Sequence, residues 1–452
     1  MSERNFKKNE ITEGVIWKQL LIFFIPIMLG ALVQQLYTTV DTIIVGRFVG
    51  KAALASVGGP AAVIASIVIT FFNGLANGAA VIIAQFYGSK DAEGLHEGLH
   101  TAYAFSIVVS ILVTVIGVIG TPYFLRGMNT PDDMMSDSTV YLKFYFLGII
   151  FTLVYNMGAA IMRAIGDSKR PLIYLIVCCI MNIVLDIVMV VFMHMGIAGA
   201  ALATVVSQFV SAVLVTYSLM RDYDVMQLHI REIRVNRQVL GKELKIGIPG
   251  ALQACAYGVT NVIIQAVVNE FGTDTVAGWA AYGKLDMIFW TVMGALGVAV
   301  TTFVGQNYGA GKMNRAYKSV RVNLGLSFAL NGAVLILLYI FCEPLYHLFT
   351  TDQTVIDIGV HMLRYLVPSY LLCILLENLT GGLRGFGDVL WPTIFTFAGL
   401  FLVRIPWMVL VTPIYRSVET ILISYPIAWI ATLLFLVPYY FRRKKKRIEV
   451  LY

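Results

Sequence analysis

Arg163-Ala-Ile-Gly-Asp167-Ser-Lys-Arg-Pro171 returns 221 positions later as Arg384-Gly-Phe-Gly-Asp388-Val-Leu-Trp-Pro392. Other landmarks repeat at nearly the same offset. Ile25-Pro26 is matched by Ile248-Pro249, and Ala84-Gln-Phe-Tyr-Gly88 by Gly305-Gln-Asn-Tyr-Gly309. Gly50 followed by Leu54-Ala55 is matched by Gly272 followed by Val276-Ala277. A repeat of half the chain, set among long apolar segments, predicts two lobes facing a shared path, which is transporter architecture.

The 452 residues are 58% apolar and only 13% charged, which excludes an ordinary soluble globular protein. A span needs about 20 apolar residues to cross a hydrocarbon core of about 30 Å. Twelve stretches qualify: 16–46, 53–79, 95–120, 138–162, 170–192, 197–220, 243–270, 276–304, 318–341, 358–382, 392–414 and 418–441. The expected fold is an all-α membrane protein with twelve transmembrane helices in two six-helix bundles related by the internal repeat. The organisation reads as an N-terminal lobe (1–220), a linker on the cytoplasmic surface (221–242), a C-terminal lobe (243–441) and a basic cytoplasmic tail (442–452).

Lys and Arg set the expected orientation. With the N-terminus inside, cytoplasmic segments carry 24 of them and the opposite side only Arg47, Lys51, Arg126 and Arg416. The positive-inside rule then puts both termini in the cytoplasm and the chain in the cell membrane. The net charge of +7 needs no nucleic-acid partner. The run from Arg442 to Arg447 is expected to meet anionic membrane lipids. The first ten residues are polar, so no cleavable signal is expected. Cys178, Cys179, Cys255, Cys342 and Cys373 have neither disulfide nor zinc-framework spacing. A monomer is expected.

Ionisable groups inside spanning helices are costly, and each is a functional candidate. Asp41 falls late in the first helix and Asp186 late in the fifth, both in the outer half. Asn182 shares a helix face with Asp186, four residues on. Thr204 offers a hydroxyl from the sixth helix. A carboxylate in a low-dielectric cavity holds a proton more readily, or binds a hard cation with help from neutral oxygens. In the repeat Asp41 corresponds to Asn261 and Asp186 to Trp407, with Arg404 one turn before it. A structural need for the acids would act on both halves, so a coupling site in the first half alone is expected. The alternative is an interfacial Asp41 and an Asp186 paired with a cation. Lys284, Asp286, Glu377, Arg404, Asn261 and Gln253 are the candidate substrate-binding or second-lobe polar residues. Pro26 removes a backbone hydrogen bond in the helix that carries Asp41 and is the candidate bend. The 18 Met and 26 Phe suit an unselective pocket for flat, cationic or amphipathic molecules, although lipid-facing positions would use the same residues.

His96-Glu-Gly-Leu-His100 is a literal H-E-x-x-H, the pattern of zinc proteases. Gly98 weakens the helix that would present the ligands. Asp186 would stand about 24 Å from the cytoplasmic end of its helix, too far to be a third ligand. The repeat places Tyr317 and Arg321 at the two His positions. No metal is expected here, and an intramembrane zinc protease is the remote alternative.

Taken together, Val40-Asp-Thr-Ile-Ile-Val-Gly-Arg47, Gln85-Phe-Tyr-Gly88, Arg163-Ala-Ile-Gly-Asp167, Gly305-Gln-Asn-Tyr-Gly-Ala-Gly-Lys312 and Arg384-Gly-Phe-Gly-Asp388 resemble the multidrug and toxic compound extrusion (MATE) family of antiporters. The likeness covers roughly 12–441. It implies two bundles around a cavity that opens alternately to either side, no cofactor, no enzyme activity, and export of organic cations driven by inward H⁺ or Na⁺. The chain looks more like the DinF-like branch. That resemblance implies coupling through Asp41 and Asp186, with Asn182 and Thr204 as polar neighbours and Pro26 as the bend. The acids of the NorM-like seventh and tenth helices are matched poorly: Gln253, Asn261 and Gln265 stand in the seventh, and Glu377 is an approximate counterpart in the tenth. A lipid-linked precursor flippase is the alternative. It would want several cations lining the cavity, where only Lys284 and Arg404 look central.

Overall fold

A computed structural model describes residues 10–449. Arg4, Lys7 and Lys8, and the ends of the N-terminal lobe and basic tail, lie outside the described residues. The described residues are helical with no strand, and twelve helices are long and apolar enough to cross a membrane. They are α1 (Ile16–Val49), α2 (Ala53–Ser89), α3 (Ala92–Gly127), α4 (Met134–Ala164), α5 (Lys169–Phe192) and α6 (Gly196–Arg221). The second half contributes α7 (Arg237–Asn269), α8 (Thr273–Gly309), α9 (Met313–Ile340), α10 (Gln353–Gly385), α11 (Leu390–Val411) and α12 (Val418–Arg447). Several run beyond the apolar windows, because a helix can extend past hydrocarbon wherever its ends are capped. Asp91 opens α3 by accepting from Gly94 N–H at 2.9 Å, and Asp352 opens α10 by accepting from Thr354 N–H at 2.9 Å. The chain is a multi-pass membrane protein. Large apolar side chains remain bare along its helices, among them Ile116, Ile119, Leu402 and Leu434, which suits hydrocarbon and not water.

Two compact units emerge. One is Ile25–Ala251; the other combines Glu10–Phe24 with the chain from Leu252 onward. The divisions fall inside α1 and α7, beside Pro26 and Pro249. In the first unit α4 is the central helix, packed on α2, α3 and α6. Its core is built from Leu95, Leu99, Leu142, Phe146 and Leu153. The start of α7 lies close on α2: a Cβ at Gly78 would fall 2.5 Å from Gly247 N, so only glycine permits that crossing. In the second unit α8 packs on α9 and α10, and α12 on α10 and α11, over Phe289, Met293, Leu335 and Leu363. Buried amides fix α9 to α10, with Asn323 Nδ2 donating to Asn378 Oδ1 at 2.8 Å. The carbonyls of Ile11 and Thr12, within the one-turn helix Glu10–Glu13, accept from Arg315 (3.0 Å) and Lys312 (3.1 Å).

The connection between α6 and α7 is shorter than the expected linker and better anchored. It runs over 222–236 with one 3₁₀ turn, Ile230–Glu232, and buries Val225, Met226 and Leu228 against the first unit's core.

Candidate functional site

Asp41 and Asp186 come together. Asp41 is 7% exposed and Asp186 fully buried, and their carboxylates lie within hydrogen-bonding reach of one another. Two backbone irregularities adjoin them. Val45–Val49 is π-helical one turn after Asp41, and Ile187–Phe192 is π-helical immediately after Asp186. Such bulges rotate side chains off the regular 3.6-residue face and are frequent at functional sites. Asn182 is fully buried on the same face as Asp186. Among the described residues nothing donates to Asp41 Oδ1, to either Asp186 oxygen or to Asn182 Oδ1, and the Asn182 amide nitrogen is also unpartnered. Buried polar atoms are otherwise almost always satisfied, so this group is chemically equipped to receive a proton or a small cation.

Thr204 stands one step back from where the sequence reading put it. Its hydroxyl donates to Ala200 O at 3.1 Å and accepts from the Tyr37 hydroxyl at 3.4 Å. Tyr37 in turn neighbours Asp41, Tyr141 and Cys178. Thr204 is thus linked to the surroundings of Asp41 through Tyr37. The sequence reading missed Tyr37 and Tyr141. The signal available was Tyr37 one turn before Asp41 in α1; Tyr141, on α4, is 100 residues from Asp41 and 45 from Asp186 and had none.

The second-lobe candidates divide, with Asp286, Glu377 and Arg404 grouped around Cys373 and the others apart. Asn261 and Lys284 are exposed. Gln253 is buried in a neutral knot, donating to Thr396 Oγ1 at 3.3 Å and accepting from Thr393 Oγ1 at 3.4 Å. Asp286 accepts from Trp290 Nε1 at 3.0 Å and from the Tyr370 hydroxyl. Glu377 accepts weakly from Tyr257 OH at 3.5 Å, with Arg384 as its charged neighbour. Arg404 is 3% exposed and lies over the Tyr425 ring at 3.5 Å, close enough to influence Asp286. At the position equivalent to Asp186, Trp407 donates to Thr420 O at 2.8 Å.

The two repeated loops fold alike. Gly166 (φ 98°) and Gly387 (φ 78°) occupy the left-handed region after α4 and α10. In each, the Asp amide bonds back five residues, Asp167 N–H to Met162 O (3.0 Å) and Asp388 N–H to Leu383 O (2.9 Å). This is the Schellman ending of a helix. Each carboxylate then gathers a following segment. Asp167 accepts from Arg170 and Tyr223, whose phenol is pushed well above its usual range by burial and then by the Asp167 charge. Asp388 accepts from Tyr439, Arg443 and Arg447.

With this arrangement in hand, comparison with known proteins is decisive for the family. The MatE family model matches twice, over 26–188 and 249–410, so the two matches fall on the two repeated halves. The chain belongs to the MatE family. It is accordingly a transporter and not an enzyme, which ends the protease reading of 96–100. It is 29% identical over 443 residues to the probable multidrug resistance protein YoeA of Bacillus subtilis, covering 96% of this chain and 95% of that protein. It is 25% identical to the probable multidrug resistance protein NorM of Thermotoga maritima, over 88% of this chain and 86% of that one. The multidrug export protein MepA of Staphylococcus aureus is 22% identical over 91% and 94%. A solved MATE structure in a bent conformation superposes with a TM-score of 0.91 at 21% identity, covering 99% of both chains. A MOP superfamily transporter from Pyrococcus furiosus superposes with 0.89 at 21% identity, covering 98% and 99%. At that identity the superpositions establish the MatE fold of two six-helix bundles and nothing of the cargo.

Proposed function

We propose that this MatE protein exports organic cations and amphipathic toxic compounds across the cell membrane in exchange for inward H⁺ or Na⁺, both termini being cytoplasmic and the working unit a monomer in lipid. The observation that carries the reading is the Asp41–Asp186–Asn182 group, in which Asp41 Oδ1, both Asp186 oxygens and the Asn182 amide are buried with no hydrogen-bond partner among the described residues. The names of the relatives, multidrug resistance and multidrug export proteins, support the cargo class.

Two bare carboxylates at a separation of about 4 Å would repel by roughly 4 kcal/mol at an effective dielectric of about 20. One proton between them, or one Na⁺ held with Asn182 Oδ1, removes that repulsion and holds α1 against α5. Loss of the ion restores it. A difference of about 4 kcal/mol shifts a two-state equilibrium by nearly three decades, enough to drive alternating access. Pro26 lies 15 residues before Asp41 in the same helix, where the missing backbone hydrogen bond makes bending cheap. Solved structures of a MATE protein are described in both bent and straight conformations, which supports a bend of this kind.

Asp41→Asn is expected to abolish gradient-driven efflux while the protein remains inserted and folded. Undiminished gradient-driven efflux by that variant overturns the assignment. A lipid-linked precursor as cargo is the competing reading; binding of a lipid pyrophosphate that is lost in Arg404→Ala would favour it.

A further inference from the structure

The H-E-x-x-H stretch, unused by transport, meets a third ligand that the sequence reading lacked. His96 and His100 stand one turn apart at the start of α3, and the 222–236 connection comes back beside them. His96 Nε2 lies 2.8 Å from Glu232 Oε2. His100 Nε2 faces the His229 backbone N–H at 3.0 Å and must accept from it. The proton therefore sits on Nδ1, which donates to His96 O at 2.8 Å. The Nδ1 anchoring on a carbonyl is how metal-ligating histidines are held, while the Nε2 lone pair is engaged by the His229 N–H until an ion takes its place. One ligand atom each from His96, His100 and Glu232 falls within 4.8 Å of the others. The His96 and His100 rings are 4.0 Å apart, and the His229 ring is 6.2 Å and 6.3 Å from them. The three residues border a cavity of about 210 Å³ that Glu97, Thr101 and Arg234 also line.

We infer that this cluster binds one divalent cation of the zinc class through His96 Nε2, His100 Nε2 and a Glu232 oxygen, and so ties the 222–236 connection to α3. Two imidazoles and a carboxylate suit Zn²⁺ and its borderline neighbours, whereas Mg²⁺ and Ca²⁺ require mostly oxygen. Binding exchanges the His229 amide contact for the ion. The role is mechanical. The connection is already held to α3 by Asn236 N–H donating to Thr101 Oγ1 at 3.1 Å, and the ion adds a second fastening. Arg234 opposes a cation electrostatically, which favours a site used only when Zn²⁺ is supplied.

The test uses the full chain in detergent, stripped of metal, titrated with Zn²⁺ by calorimetry, and with Co²⁺ to read coordination from its visible bands. His96→Asn and Glu232→Gln alter partly exposed side chains, at 29% and 54%, and leave the core intact. The expected result is one Zn²⁺ per chain in the wild type, at least about tenfold weaker in each variant, with Co²⁺ bands lost in both and no comparable binding of Mg²⁺. Absence of stoichiometric Zn²⁺ in the wild type, or equal affinity in the wild type and both variants, overturns the inference.

Discussion

Asp388→Asn isolates what the repeated loop does in the second half. The Asp388 side chain is 8% exposed and accepts from Tyr439 OH at 2.9 Å, Arg443 Nε at 2.9 Å and Arg447 Nη2 at 3.4 Å. Asparagine keeps an acceptor for Tyr439 but removes the charge. Arg443 is 41% exposed, so water replaces most of its contact and the loss there is at most about 1 kcal/mol. Arg447 is 18% exposed and lies over the Phe386 ring at 4.6 Å, so its charged contact is worth about 1–2 kcal/mol. The sum, about 2 kcal/mol, corresponds to a roughly 30-fold rise in local opening of the end of α12. Amide hydrogen exchange over 439–449, measured by mass spectrometry in detergent, reads this directly. Exchange faster by about that factor there and unchanged in α3 is the expected result. Exchange unchanged over 439–449 would refute the view of Asp388 as the hub that fastens α12.

Four further outcomes follow from packing and charge. Gly78→Ala should lower stability by about 1–3 kcal/mol, because its Cβ would meet the α7 backbone and not a yielding side chain; Gly325→Ala, with open space at its Cβ, should stabilise by about 0.5–1 kcal/mol. Both are read from thermal unfolding in detergent. Glu243 is 3% exposed with no partner among the described residues for either carboxylate oxygen, while its repeat counterpart Leu20 is fully buried. Glu243→Leu should therefore raise stability by about 1–3 kcal/mol, and a fall in the same unfolding assay would mean the acid holds a partner. Arg404→Gln removes a cation from the face of Tyr425 and should cost about 0.5–2 kcal/mol, checked in a double-mutant cycle with Tyr425→Leu.

The twelve spans and the two-lobed repeat were readable because hydrocarbon imposes length and composition on every crossing helix, and because Gly166 and Gly387 are demanded by the same helix ending. Asp41, Asn182 and Asp186 were readable because intramembrane carboxylates are rare and the repeat lacks them. Their surroundings were not. Tyr141 neighbours the acids from another helix, and the π-helical turns at 45–49 and 187–192 reset the facing of side chains in a way no 3.6-residue period predicts. Thr204 was placed on the right helix, but the Tyr37 hydroxyl intervenes. Glu232 was invisible as a partner of His96 because 136 residues separate them and only the packing of the connection against the core brings them together.

The central claim, ion-coupled export through Asp41 and Asp186, is tested most directly in membrane vesicles loaded with a fluorescent organic cation. A Na⁺ gradient and a proton gradient are imposed separately, with wild type beside Asp41→Asn. The account predicts transport under at least one gradient in the wild type and none under either in the variant. Transport that persists undiminished in Asp41→Asn, or a wild type that moves no organic cation under either gradient, would contradict it.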